Sequence, residues 1–249
     1  CDHPDIKGVA FVGSSHVAKI VYSRSTANGK RALCLGGAKN HMIVVPDADQ
    51  DSTAKGLLAS SMGSAGQRCM AARVAVGVAD VDPIIDQLVE ETKNYKLGVD
   101  MGTIISKTAL ERITNYIDEA EKMGAKILID GRNSTPPEGY ENGYWLGATI
   151  LDGVDPDWPS ATDEIFGPVL TIIRTDTLEN AMKIENGNQY GNAAAVFTTS
   201  GQVAKTISES ASAGMIGINI GVPVPREPYS FGGWNESKYG HGDMTGKSG

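Results

Sequence analysis

Cysteine is scarce in this 249-residue chain, and Cys1, Cys34 and Cys69 are the full complement. The number is odd, no CxxC pair occurs, and a chain this long can bury a sizeable core without disulfide staples. The thiols therefore read as reduced, in an intracellular setting. Histidine is also sparse: His3, His16, His41 and His241 are scattered without metal-ligand spacing, so no metal site is expected. Basic charge never gathers into an arm or patch, and the formal net charge is −8. Nucleic acid and anionic membrane are therefore not expected partners. No apolar run approaches the roughly 20 residues of a membrane-spanning helix. The sequence opens without an initiator Met, and its first residues do not read as a signal peptide. The opening CDHPDIKGVAFVGSS runs from a turn straight into a strand, which reads as a fragment beginning inside a fold.

What is present is an alternation. The runs at 9–13, 41–45, 72–78, 126–130, 168–174, 192–199 and 215–221 are β-branched or apolar and read as strands. Several are apolar on both faces, as a parallel sheet covered by helices requires. Over 106–123, Ile113, Tyr116, Ile117 and Ala120 share one face, which is helical spacing. Weaker helical patterns cover 14–27, 49–63, 81–95, 177–186 and 200–213, while 131–144 reads as a polar loop. Thirty glycines suit the tight turns of such folds. The expected fold class is α/β with a twisted, mainly parallel sheet.

The segment GSAGQRCMAARVAV (63–76) carries the strongest chemical signal. Small residues lead to Cys69 and let a substrate and backbone N–H groups approach its sulfur. A thiolate is a strong nucleophile, and the adjacent Arg68 is expected to favour the charged form. Taken alone, Cys69 also fits a buried cysteine at a turn.

The context decides between them, because GQRCMA resembles the active-site cysteine motif of the aldehyde dehydrogenase superfamily. FVGSS (11–15), LGGAKNHMIVVPDAD (35–49), EIFGPV (164–169), GINIGVPVP (217–225) and SFGGWNESKYG (230–240) resemble further landmarks of that family, in its order and across nearly the whole chain. The resemblance implies a catalytic domain over 34–249 with a Rossmann-like sheet, preceded by a remnant of the cofactor domain over 1–33. It implies that Cys69 attacks the aldehyde and that its own backbone N–H joins the oxyanion hole. Gly13 and Ser14, at a helix start where orphan N–H groups favour phosphate, would contact the pyrophosphate of NAD. Glu164 would accept hydrogen bonds from the nicotinamide-side ribose, Phe166 would pack near the nicotinamide, and Leu35 would offer a backbone contact. Read without the motifs, Glu164 is a solvated carboxylate and Leu35 a core residue.

Departures from the family pattern refine the expectation. Hydrolytic members of the family place a glutamate before LGG, the general base that activates water. Here that position is Cys34, and a thiol of ordinary pKa cannot do the same work. Together, LGGAKNH, GQRCMA and Cys34 resemble the methylmalonate-semialdehyde dehydrogenase branch. That resemblance implies release of the acyl group to coenzyme A as co-substrate, with loss of CO2. Arg68 would then hold the substrate carboxylate; its plainer role is to tie down the loop. Cys34 reads as a packing substitution. The alternatives are a hydrolytic aldehyde dehydrogenase for another small aldehyde, or an inactive truncated domain. The resemblance places the oxyanion-hole asparagine and a ribose-contacting lysine before residue 1, and the last strand after Gly249. It also implies a homodimer or homotetramer for the full-length protein, in bacterial cytoplasm or the mitochondrial matrix. Asn235 and Ala18 stand where lysine and glycine are common, and neither is assigned a role.

Overall fold

The alternation of apolar runs and amphipathic stretches becomes an alternation of strands and helices. The computed structural model describes residues 1–246; residues 247–249, the end of the expected catalytic span, lie outside them. The chain begins β1 (Gly8–Val12), α1 (Ser15–Ala27), β2 (Arg31–Leu35), β3 (Asn40–Val44), α2 (Gln50–Met62) and β4 (Ala72–Val78). It continues with α3 (Asp82–Lys93), α4 (Lys107–Met123), β5 (Lys126–Ile129), β6 (Thr149–Asp152), α5 (Pro159–Thr162) and β7 (Val169–Thr175). Then come α6 (Leu178–Gly187), β8 (Tyr190–Gly191), β9 (Ala193–Phe197), α7 (Gly201–Ser210), β10 (Met215–Ile218), β11 (Trp234–Asn235) and β12 (Lys238–Tyr239).

Seven strands form the main sheet in the order β10-β9-β3-β4-β7-β6-β5, parallel throughout except for the pair β5–β6. Every residue of β3, β4 and β9 is buried, which accounts for their mainly apolar character. The core runs through Ile43, Val74, Val76, Leu170, Ile172 and Val196. A second sheet, β1-β2-β12, joins the first strands of the chain to a segment near its other end: β2 pairs in parallel with β1 and antiparallel with β12.

Side-chain caps fix several helix starts. Asp49, Ser106, Thr177 and Ser200 accept from the backbone N–H groups of Ser52, Ala109, Asn180 and Val203. At the C-terminal end of α4, Gly124 takes φ 110°, a conformation that stops the helix and suits glycine. The helix expected over 200–213 ends at Ser210, because Ala211 is already extended. Strands β2 and β6 and the two-residue strands β8, β11 and β12 were not foreseen from the sequence, nor was the single turn of α5.

Candidate active site

Val12 ends β1, Gly13 and Ser14 follow it and Gly36 follows β2, while Cys69 precedes β4 and Glu164 and Phe166 precede β7. With Arg112 of α4, these eight residues line one cavity of about 650 Å³. Sequence-predicted Gly13, Ser14, Cys69, Glu164 and Phe166 therefore meet in one place. Leu35 and Arg68 do not line it. Leu35 is buried, and its carbonyl accepts from the Gly13 N–H at 3.1 Å, so its backbone shapes the turn beside the cavity.

Cys69 is presented by an irregular loop. After α2, Ser64, Ala65 and Gly66 all adopt positive φ, and a Cβ on Gly66 would lie 2.0 Å from the Gly167 carbonyl oxygen. Only glycine allows that approach. Fully buried Arg73, the second residue of β4, then joins the loops. Its Nη1 donates to the Gly167 carbonyl at 2.9 Å, and its Nη2 donates to the carbonyls of Arg68, at 3.1 Å, and Gly66. The guanidinium also lies 5.9 Å from the centre of the Phe166 ring. One side chain thus ties the Cys69 loop to the Glu164–Gly167 loop.

The expected acidification of Cys69 by Arg68 does not occur. Burial pushes the thiol up and dominates. The backbone N–H groups of Cys69 and Met70 pull the other way, as does Arg73, while the charge of Glu164 adds to the rise. Arg68 is turned elsewhere: Nη2 donates to the Ala59 and Ser60 carbonyls at 2.8 and 3.1 Å, at the end of α2. Arginine next in sequence is not next in space, because the backbone carries its side chain the other way. Its Nε is buried without a partner.

Glu164 is placed by the glycine run before β3. The Ala38 N–H donates to its Oε1 at 3.0 Å, and a Cβ on Gly37 would meet its Oε2 at 2.7 Å. Burial raises the Glu164 carboxyl above its ordinary range. Below it, buried Lys39 donates to the Ser160 and Asp163 carbonyls, both at 2.8 Å; burial and Arg73 lower it to about 7. Ser14 caps α1 without using its side chain on the helix, so its hydroxyl and the first N–H groups of α1 remain for an anion. Arg112, which donates to the Glu164 carbonyl at 3.4 Å, brings a cation to the cavity. Cys34 is wholly buried in β2, and burial raises its thiol too.

Sequence reasoning missed Arg73, Arg112 and two asparagines, Asn40 and Asn192, that hydrogen-bond to the Cys69 carbonyl. Arg112 carried a readable signal, a basic residue on the polar side of a strong helix. The others did not, since their partners are remote in the chain. Among the described residues no helix is long and apolar enough to cross a membrane, and no group of three or more His, Cys, Asp and Glu could hold a metal ion.

The aldehyde dehydrogenase family profile matches residues 1–248. A malonate-semialdehyde dehydrogenase of Pseudomonas aeruginosa is 41% identical over 95% of this chain and 49% of its own length. The mitochondrial methylmalonate-semialdehyde/malonate-semialdehyde dehydrogenase [acylating] of Rattus norvegicus is 43% identical over all of this chain and 48% of its own. The crystal structure of methylmalonate-semialdehyde dehydrogenase from Oceanimonas doudoroffii superposes with TM-score 0.96 at 41% identity, over 98% of this chain and 52% of that one. Betaine aldehyde dehydrogenase from Staphylococcus aureus, solved in complex with NAD+, gives TM-score 0.92 at 26% identity, over 99% of this chain and 50% of that one. The chain spans about half the length of the curated relatives it matches. Sheet order, site geometry and these matches agree: the chain belongs to the aldehyde dehydrogenase family.

Proposed function

We propose that this chain supplies the catalytic part of an NAD-dependent, coenzyme A-acylating dehydrogenase for malonate or methylmalonate semialdehyde. The observation that carries the reading is the shared cavity: Cys69 opens onto the space that Ser14, Glu164 and Phe166 also line. The residues fit the cofactor. The free start of α1 suits a pyrophosphate, the unpaired Oε2 face of Glu164 suits a ribose hydroxyl, and the Phe166 ring suits a flat heterocycle. When bound, NAD supplies the hydride acceptor.

The Cys69 thiolate attacks the aldehyde carbon, forming a C–S bond and a thiohemiacetal oxyanion that the backbone N–H groups stabilise. Loss of hydride from that carbon converts it to a thioester. In a substrate bearing a β-carboxylate, CO2 leaves and the carbon it vacates takes a proton. Arg68 is the proposed partner of that carboxylate, through Nη1, which makes no hydrogen bond among the described residues. The thiolate of coenzyme A then attacks the thioester, and Cys69 returns as a thiolate. Transfer to a thiol suits this site, because the position before LGG carries a buried, unactivated thiol in place of a carboxylate base.

The test uses the full-length protein with malonate semialdehyde and NAD, with and without coenzyme A. Continued NADH formation should require coenzyme A, with at most a single turnover in its absence, and acetyl-CoA should be the product. Free acid formed at an equal rate without coenzyme A would replace this reading with a hydrolytic one. Cys69→Ser should abolish NADH formation; an active serine variant would remove Cys69 from the chemistry.

A further inference from the structure

Two side-chain amides that the proposed chemistry leaves unused converge on the backbone of Cys69. Asn40 begins β3 and Asn192 immediately precedes β9; both are buried. The Nδ2 of Asn40 donates to the carbonyls of Cys69 at 2.8 Å and Ala71 at 2.9 Å, while its Oδ1 accepts from the Ala193 N–H at 3.1 Å. The Nδ2 of Asn192 donates to the same Cys69 carbonyl at 3.0 Å and lies 3.5 Å from the Asn40 Oδ1. It also lies 3.2 Å from the Met70 sulfur.

A fault in the sheet creates the need for them. The register between β3 and β4 slips after Asn40, so Asn40 faces Ala72 while His41 faces Val74. Backbone before Ala72 is therefore outside the ladder, and its carbonyls need other donors. Asn40 provides one from β3 itself, and Asn192 another from the residue before β9, the strand on the far side of β3.

The peptide unit gives this a chemical consequence. It is planar and trans, so the Cys69 carbonyl and the Met70 N–H point in opposite directions from one rigid plate. The Met70 N–H is one of the two backbone donors that favour charge on the Cys69 sulfur. We propose that Asn40 and Asn192 are positioning residues for the nucleophile: by gripping the Cys69 carbonyl they hold the Cys69–Met70 peptide, and with it the thiol, in one orientation. The assignment rests on the reading of Cys69 as the reactive thiol. Two donors on one carbonyl leave the plate little freedom to rotate, and losing one frees it.

The experiment measures alkylation of each cysteine by iodoacetamide between pH 6 and pH 10, in the full chain, by peptide mass spectrometry. Exposed Cys1 is the reference within each molecule. Asn192→Leu removes one donor at similar volume and leaves the Asn40 bonds in place. The pH midpoint of Cys69 should rise, and its rate at pH 8 should fall about fivefold, as loss of one net hydrogen bond implies. Cys1 should not change. Asn192→Ala, uncharged and also without the donor, guards against a leucine variant that does not fold, and should shift the profile the same way. Glu164 and Arg73, the charged side chains that act on the sulfur, are untouched by either change. If a variant with a cooperative melt keeps the original Cys69 profile, the pair serves stability alone and the proposal falls. That failure is separable from failure of the nucleophile reading, which the Cys69→Ser assay decides independently.

Discussion

Arg73→Met keeps most of the buried volume but removes one donor from each of three carbonyls; those of Arg68 and Gly167 keep the N–H groups of Ala71 and Val169, while that of Gly66 loses its partner. One buried acceptor left unpaired carries a desolvation cost, so the substitution should destabilise the fold by roughly 1–3 kcal/mol, read as a lower urea midpoint at unchanged m. The same contacts explain what a reader of the sequence could see. Cys69, Glu164, Phe166, Gly13 and Ser14 sit inside short contiguous strings, and all five line the cavity. Arg73, Asn40 and Asn192 act on partners 94, 29 and 123 positions away, and no local pattern announces such bonds. Arg68 shows the complementary limit. Adjacency in the chain says nothing about direction, and its guanidinium turns to the end of α2.

At the scale of elements, helix α4 offers the cleanest test of local coding, because its start is fixed by one hydroxyl. The Ser106 side chain accepts from the Ala109 N–H at 3.2 Å, so Ser106→Ala should cost about 1 kcal/mol, measurable as a lower Tm. This helix was legible from its apolar spacing, as were the long strands β4, β7 and β9 from their buried runs. Strand β2 was not, since RALCL mixes charge and apolar residues without alternation. The two-residue strands β8, β11 and β12 are too short for any periodicity, and they form only because remote backbone meets them. The register slip beside Asn40 was equally invisible: it is a relation between two strands, not a property of either.

For the whole molecule, the acid limb of stability should carry the mark of His41. Burial lowers this imidazole from 6.5 to about 4, so the folded state refuses a proton that the unfolded chain accepts between those values. Stability therefore falls as pH drops from about 6.5 toward 4. His41→Leu should shrink that fall by about 2 kcal/mol, compared through urea unfolding at pH 7 and pH 4.5. Glu164 and Glu185, whose carboxyls burial raises, act in the opposite sense: they stabilise in acid, and that contribution is lost as pH rises through their folded values. The assembly of the β1-β2-β12 sheet has a consequence of another kind. Ser237 donates to the Gly37 carbonyl at 2.7 Å across 200 positions, and the Gly36 N–H donates to the Ser237 carbonyl. On the ribosome, at about 5–20 residues per second, that partner emerges roughly 10–40 s after the glycines it secures. One wall of the cavity thus waits for the distant segment, and a half-made polypeptide carries Cys69 for that interval beside a wall not yet secured.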